Sequence, residues 1–118
     1  MGKEGAPDVP EAIEIQLKKG ALELCVLAQL AQRDSYAYEI ASTLADAIGM
    51  GEGTIYPLMR RLQGERLVET YLVESSAGPP RKYYRLTEAG KLNFKSQKDA
   101  WTSFSGAVNT IVFGGAKT

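Results

Sequence analysis

From Ile13 to about Gln32 apolar side chains crowd the chain: Ile13, Leu17, Leu22, Leu24, Cys25, Val26, Leu27 and Leu30. On a 3.6-residue wheel they cover more than one side. The helix this predicts must bury two faces, one on its own domain and one on something else, such as a second subunit. Tyr36, Ile40, Leu44 and Ile48 then repeat every four residues and predict a second helix over YAYEIASTLADAI, with Asp34 or Ser35 as its N-cap. Gly49, Gly51 and Gly53 punctuate a short turn before a third helix, from about Gly53 to Glu65. Ile55, Leu58, Met59 and Leu62 fall at i, i+3, i+4 and i+7 there and form one apolar stripe.

After the third helix the period changes to two. LVETYLVE (Leu67–Glu74) alternates, PRKYYRLT (Pro80–Thr87) is a tyrosine-rich second strand, and SSAGPP between them has turn composition. The pair predicts a β-hairpin. Thr87, followed by Glu88, can cap a last long helix that Gly114 and Gly115 end. Phe94, Trp101 and Val108 are seven apart in it, as are Phe104 and Ile111, with Gln97 interrupting the second row. Such a seam is what a coiled-coil-like helix pair needs. Together with the over-apolar first helix it predicts a homodimer in which the first and last helices cross between subunits. Ile13, Leu17, Leu24, Phe94, Trp101, Phe104, Val108 and Ile111 are the candidate interface.

The expected fold is therefore mainly α with a β-hairpin, a winged helix-turn-helix followed by a C-terminal dimerisation helix. Residues 1–12 read as a frayed tail and 13–87 as the winged unit, with the hairpin over about 68–86. The dimerisation helix is 88–113, and 114–118 is a tail.

Opposite the stripe of the third helix lie Gly53, Tyr56, Pro57, Arg60, Arg61 and Gly64. The glycines remove bulk and let a backbone approach. A phenol and two guanidinium forks are groups that bond phosphate oxygens or guanine edges. The same residues fit an amphipathic helix with a solvated Arg pair. Arg81, Lys82 and Arg85 put three more cations on the hairpin strand, either as a nucleic-acid contact or as decoration of an exposed strand face.

Charge sharpens this picture. The 118 residues carry 14 basic and 14 acidic side chains, but residues 1–50 hold four basic against eight acidic and 51–118 hold ten against six. A chain that is neutral overall can still present a basic face. There is no His and one Cys, Cys25, in the apolar first helix. That removes the commonest general base, a metal-ligand set and an internal disulfide, so neither an enzyme nor a metal or cofactor site is expected. The absence of a long apolar run or a secretion signal leaves the cytoplasm as the expected location, with no membrane contact.

GEGTIYPLMRRL, followed by GPPRKYYRLTEAG, resembles the PadR family of bacterial transcriptional regulators. The matching segments are Gly53-Thr54-Ile55-Tyr56-Pro57 with Arg61-Leu62, and Pro80 to Thr87. Asp34 to Ile40 resembles the start of the second helix in the short, multidrug-sensing-type members. The resemblance implies a homodimeric repressor on a two-fold operator of double-stranded DNA, released by a small molecule. Carried onto matching positions, it implies DNA contacts from Tyr38, Thr54, Tyr56, Arg60, Arg61, Arg81 and Lys82. Trp101 matches a tryptophan that lines a central pore in drug-sensing members, which implies a small planar aromatic ligand there. Two positions depart from the family pattern, Arg66 in place of a usual glycine and Pro79 in place of a common arginine. A winged-helix protein-interaction module without specific DNA binding is the alternative reading.

Overall fold

The computed structural model describes residues 11–114, with side chains from Leu17 onward. In chain order the elements are α1 (Glu11–Gln32), β1 (Ser35–Tyr36), α2 (Ala37–Ile48), α3 (Glu52–Gly64), β2 (Val68–Val73), β3 (Arg81–Leu86) and α4 (Glu88–Phe113). Helix α1 starts two residues ahead of the expected Ile13, and the rest of the expected tail lies outside the described residues. The mainly helical, winged architecture is the one the periodicities predict.

The core joins α1, α2, α3 and the sheet. Val26, Leu27, Ile40, Ile55 and Leu62 have no exposed surface, and Met59 keeps only 1%. Side chains buried this fully contribute about 1.5–3 kcal/mol each. In α3 the buried set is Ile55, Met59 and Leu62, with Leu58 half-buried at the edge of the stripe.

The sheet has three strands in the order β1-β3-β2, all antiparallel, where the sequence predicts only the β2-β3 hairpin. Ser35 pairs with Tyr84 and Tyr36 with Tyr83. This corrects the expected cap of α2. Its N-cap is Tyr36, which makes no side-chain cap bond. Ser35 is fully buried and committed to the sheet, its hydroxyl donating to the Arg33 carbonyl at 3.4 Å. Asp34 instead accepts a 2.6 Å bond from the Tyr71 hydroxyl of β2. Pairing with a distant strand outweighed a local capping preference.

Helix α3 ends in a left-handed residue that is not glycine. Arg66 has φ 62°. Its N–H donates to the Gln63 carbonyl and that of Leu67 to the Leu62 carbonyl, both at 3.0 Å. This is the two-bond pattern of a Schellman stop, closed by burial of Leu62 and Leu67 together. The departure at Arg66 therefore leaves the helix exit intact and puts a side chain where glycine is the easy residue.

Thr87 caps α4 as expected, its Oγ1 accepting from the Gly90 N–H at 3.0 Å and donating to the Arg66 carbonyl at 2.7 Å. One hydroxyl thus ties the exit of α3 to the entry of α4. Twenty-six residues make α4 about 39 Å long, and Gly114, φ 75°, stops it. It runs antiparallel to α1 in the same chain. Phe94 shares a cleft with Leu30, Gln97 bonds Glu23, and Trp101 and Phe104 share a groove with Gly20 and Leu24. Phe94, expected in the intersubunit seam, is half-buried against its own core. It sits at the start of α4, where the helix still lies on the winged unit.

Candidate nucleic-acid interface

Successive residues of a helix point 100° apart, and that decides what the Arg60-Arg61 pair can do. Arg60 lies on the exposed side of α3 and makes no ion pair with any described residue. Arg61 turns toward α1 and is held by two carboxylates, Glu23 of α1 and Glu65 one turn on in its own helix, the latter at 3.0 Å. The bonds from Glu23 and Glu65 push its pKa further above the ordinary guanidinium value. The wheel places both arginines outward; the structure separates them, because Glu23 captures one.

Thr54 is half-buried on the same flank as Arg61 and borders the groove toward α1. Tyr56 is half-buried on the opposite flank. Partial burial, then the charge of Glu52 and the neighbouring phenols of Tyr84 and Tyr38, push its pKa up, so it stays a hydroxyl donor at neutral pH. Tyr38 on α2 is 60% exposed. It lines a shallow pocket with Ser42, Asp46, Gly51 and Glu52 at the start of α3. Tyr38, Gly53, Tyr56 and Arg60 thus share one open side of the helix-turn-helix. Pro57 is exposed there and, lacking an N–H, leaves the Gly53 carbonyl without its usual donor.

The wing divides by the two-residue period of a strand. Tyr84 and Leu86 are buried against the helices, so Lys82 points to the same face, 5.8 Å over the Tyr84 ring and opposite an exposed Leu72. Arg81 and Arg85 point the other way with Tyr83. There Arg81 lies 4.4 Å over the ring of Tyr36 and Arg85 lies 4.9 Å over that of Tyr71. Tyr83 stacks on Tyr71 and meets Tyr36 edge-on. Arg85 also bonds Glu69 at 2.9 Å, which raises its pKa. The Tyr71 phenol is lifted by its bond to Asp34. Arg81 and Lys82, expected to act together, are therefore on opposite faces, and Lys82 is the one on the side of the helices. The alternation in RKYYRL carries this signal; the charge of the segment as a whole hides it.

Of the six cations between Arg81 and Lys98, three are compensated by carboxylates, Arg85 among them. Lys91 pairs with Glu88 and Lys95 with Asp99, at 3.2 and 3.0 Å. Among the described residues, the cations of α3, its exit and the wing that pair with no carboxylate are Arg60, Arg66, Arg81 and Lys82.

A second feature lies on α4. Trp101 is 47% exposed and, with Gly20, Leu24, Gln97, Ala100 and Phe104, lines a shallow groove of about 270 Å³. Asp99, two residues before Trp101, accepts from Lys95 at 3.0 Å. Leu24 and Val108 are half-buried, whereas Leu17, Phe104 and Ile111 are exposed at 71%, 64% and 82%. The side chain of Ile13 lies outside the described residues.

Residues 26–96 match the model of the transcriptional regulator PadR-like family. The chain belongs to that family. A crystal structure of a PadR-like transcriptional regulator from Bacillus cereus is 39% identical and superposes with a TM-score of 0.76, over 82% of this chain and 96% of that one. A PadR-like transcription factor from Bacteroides fragilis is 37% identical, TM-score 0.68, over 86% and 99%. A Streptococcus transcriptional regulator is 36% identical, TM-score 0.74, over 81% and 96%. PadR-like proteins are DNA-binding transcriptional regulators and not enzymes, and this chain is one of them. That sets aside the reading as an interaction module without DNA. Among the described residues no helix is long and apolar enough to cross a membrane.

Proposed function

We propose that the chain is a homodimeric, cytoplasmic repressor that binds a two-fold operator and is released by a small planar aromatic effector. The observation that carries the dimer is the apolar row on α4 and α1. Trp101, Phe104 and Ile111 fall on one side of α4 and are exposed, as is Leu17 of α1, and exposed apolar side chains gathered in this way mark a protein–protein surface. The groove at Trp101 is open on one side and smaller than the usual 300 Å³ or more of a ligand pocket. Two copies facing across a two-fold axis would double it into a slot walled by two indoles, suited to a flat aromatic or cationic molecule.

On the DNA side, α3 would enter the major groove with Arg60 and Tyr56. Thr54 would border the contact and Tyr38 would add a hydroxyl from α2. Lys82 would reach the backbone from the wing. Arg81 lies on the far face of the wing and would reach DNA only past its edge. Half-sites would be read about one helical turn, roughly 34–36 Å, or a multiple of it apart.

The test is fluorescence anisotropy of the protein with duplexes tiled across the region upstream of its own gene, at two salt concentrations. Tight, steeply salt-dependent binding to one tile is expected, because phosphate contacts release counterions. Uniform weak binding to every tile would refute regulation at that promoter. For the effector, ethidium titrated in the absence of DNA should quench Trp101 fluorescence. An unquenched signal would remove the aromatic slot from the proposal.

A further inference from the structure

Glu23 sits where three helices meet. One carboxylate oxygen accepts from Arg61 of α3 and the other from Gln97 of α4, the latter at 2.8 Å. The second Gln97 amide contact is to the Asn93 side chain one turn back, at 2.6 Å. Burial by itself would raise the Glu23 pKa, but the bonds from Arg61 and Gln97 outweigh it and hold the carboxyl below its ordinary value. Arg61 is also held by Glu65. Each member of the chain is therefore occupied by the next.

What lies around this chain gives it a purpose. The flank of α3 that faces α1 is not packed shut: an open groove of about 450 Å³ runs there, walled by Lys19, Leu22, Thr54, Pro57 and Leu58. The Arg61–Glu23 bond crosses that groove as a strut. At the other end, Gln97 breaks the apolar row of α4 next to Trp101. A polar residue placed once in an apolar seam costs stability and is retained where it fixes geometry. The chain thus runs from the helix proposed to enter DNA to the helix pair proposed to form the dimer.

We propose that Glu23, Arg61 and Gln97 are positioning residues that set the angle of α3 against the α1–α4 frame, and so the half-site spacing the dimer accepts. This rests on the reading of the chain as a DNA-binding homodimer. Arg61 acts here through Glu23 and not on phosphate. Without the strut α3 rocks over its groove, and the two recognition helices no longer keep one separation.

The test uses the full chain and an operator duplex obtained by in vitro selection from random sequence, with its half-site spacing then changed by one and two base pairs. Binding is read by anisotropy at two salt concentrations for wild type, E23Q, R61M and Q97L, with thermal unfolding as the folding control. Each variant should bind the best-spaced duplex about fivefold more weakly, the scale of one exposed ion pair for E23Q and R61M and of one net hydrogen bond for Q97L. The misspaced duplexes should lose less, so that the spacing profile flattens, and the slope of log K against log salt should not change. A slope smaller by about one in R61M would mark a phosphate contact and overturn the assignment of Arg61. A spacing profile identical to wild type in E23Q and Q97L would overturn the strut. These two carry the test if R61M does not fold. A wild type that selects no duplex would overturn the DNA-binding dimer and this role with it.

Discussion

Gly90 presses its bare α-carbon onto the Leu67 carbonyl: a Cβ added there would stand 2.0 Å from that oxygen. The same carbonyl accepts the Thr87 N–H at 3.1 Å. The start of α4 is thus held against the end of α3 by a contact that only glycine permits. Gly90→Ala should force α4 off the winged unit and cost about 1–3 kcal/mol, as overpacking does. Chemical denaturation measures it, and an unchanged midpoint would show that α4 can slide freely.

Arg66 gives the opposite sign. Its φ of 62° is one that glycine adopts without penalty, and its side chain is exposed. Arg66→Gly should therefore stabilise the fold by roughly 1 kcal/mol, the usual cost of a left-handed non-glycine residue. A loss of stability would mean that the Arg66 side chain contributes more than its backbone costs.

Arg60 and Lys82 should separate by the kind of contact they make. Arg60→Ala should weaken operator binding by about 1–3 kcal/mol if the guanidinium reads a base edge. Lys82→Ala should weaken all sequences alike and lower the salt slope by about one. Arg81→Ala, on the far face of the wing, should do neither. Anisotropy titrations over a salt series distinguish the three.

Replacing Phe104 and Ile111 together by Ser removes two exposed apolar side chains from α4 without opening the core. The dimer dissociation constant should rise by about two orders of magnitude. Sedimentation velocity across a concentration series would show it, and an unaltered dimer would place the interface elsewhere.

Acid should weaken the contact of α1 with α3. Glu23 has a depressed folded pKa, so its contribution is present above the ordinary carboxylate range and is lost as pH falls through the lowered value. The charged groups around it are Arg61, which it shares with Glu65, and Lys19 of the same groove; its α4 partner Gln97 does not titrate. The effect should be about 1 kcal/mol or less after screening. Melting temperature against pH should be flatter in E23Q than in wild type. Parallel curves would discount Glu23.

The four helices, the β2–β3 hairpin, the apolar stripe of α3, the Thr87 cap and the glycine that ends α4 were legible in the sequence by itself. Each depends on residues within a few positions of one another. So was the family, through two segments that lie on α3 and β3. Tertiary structure alone decided which side chains those elements leave free. Arg61 lost its place beside Arg60 to Glu23, 38 residues away. Asp34 lost its cap to Tyr71, 37 residues on. Ser35 joined a strand that begins at Arg81. No local pattern encodes such partners. A charge or a hydroxyl goes to the strongest acceptor that folding brings within reach, and only the packed chain fixes which one that is.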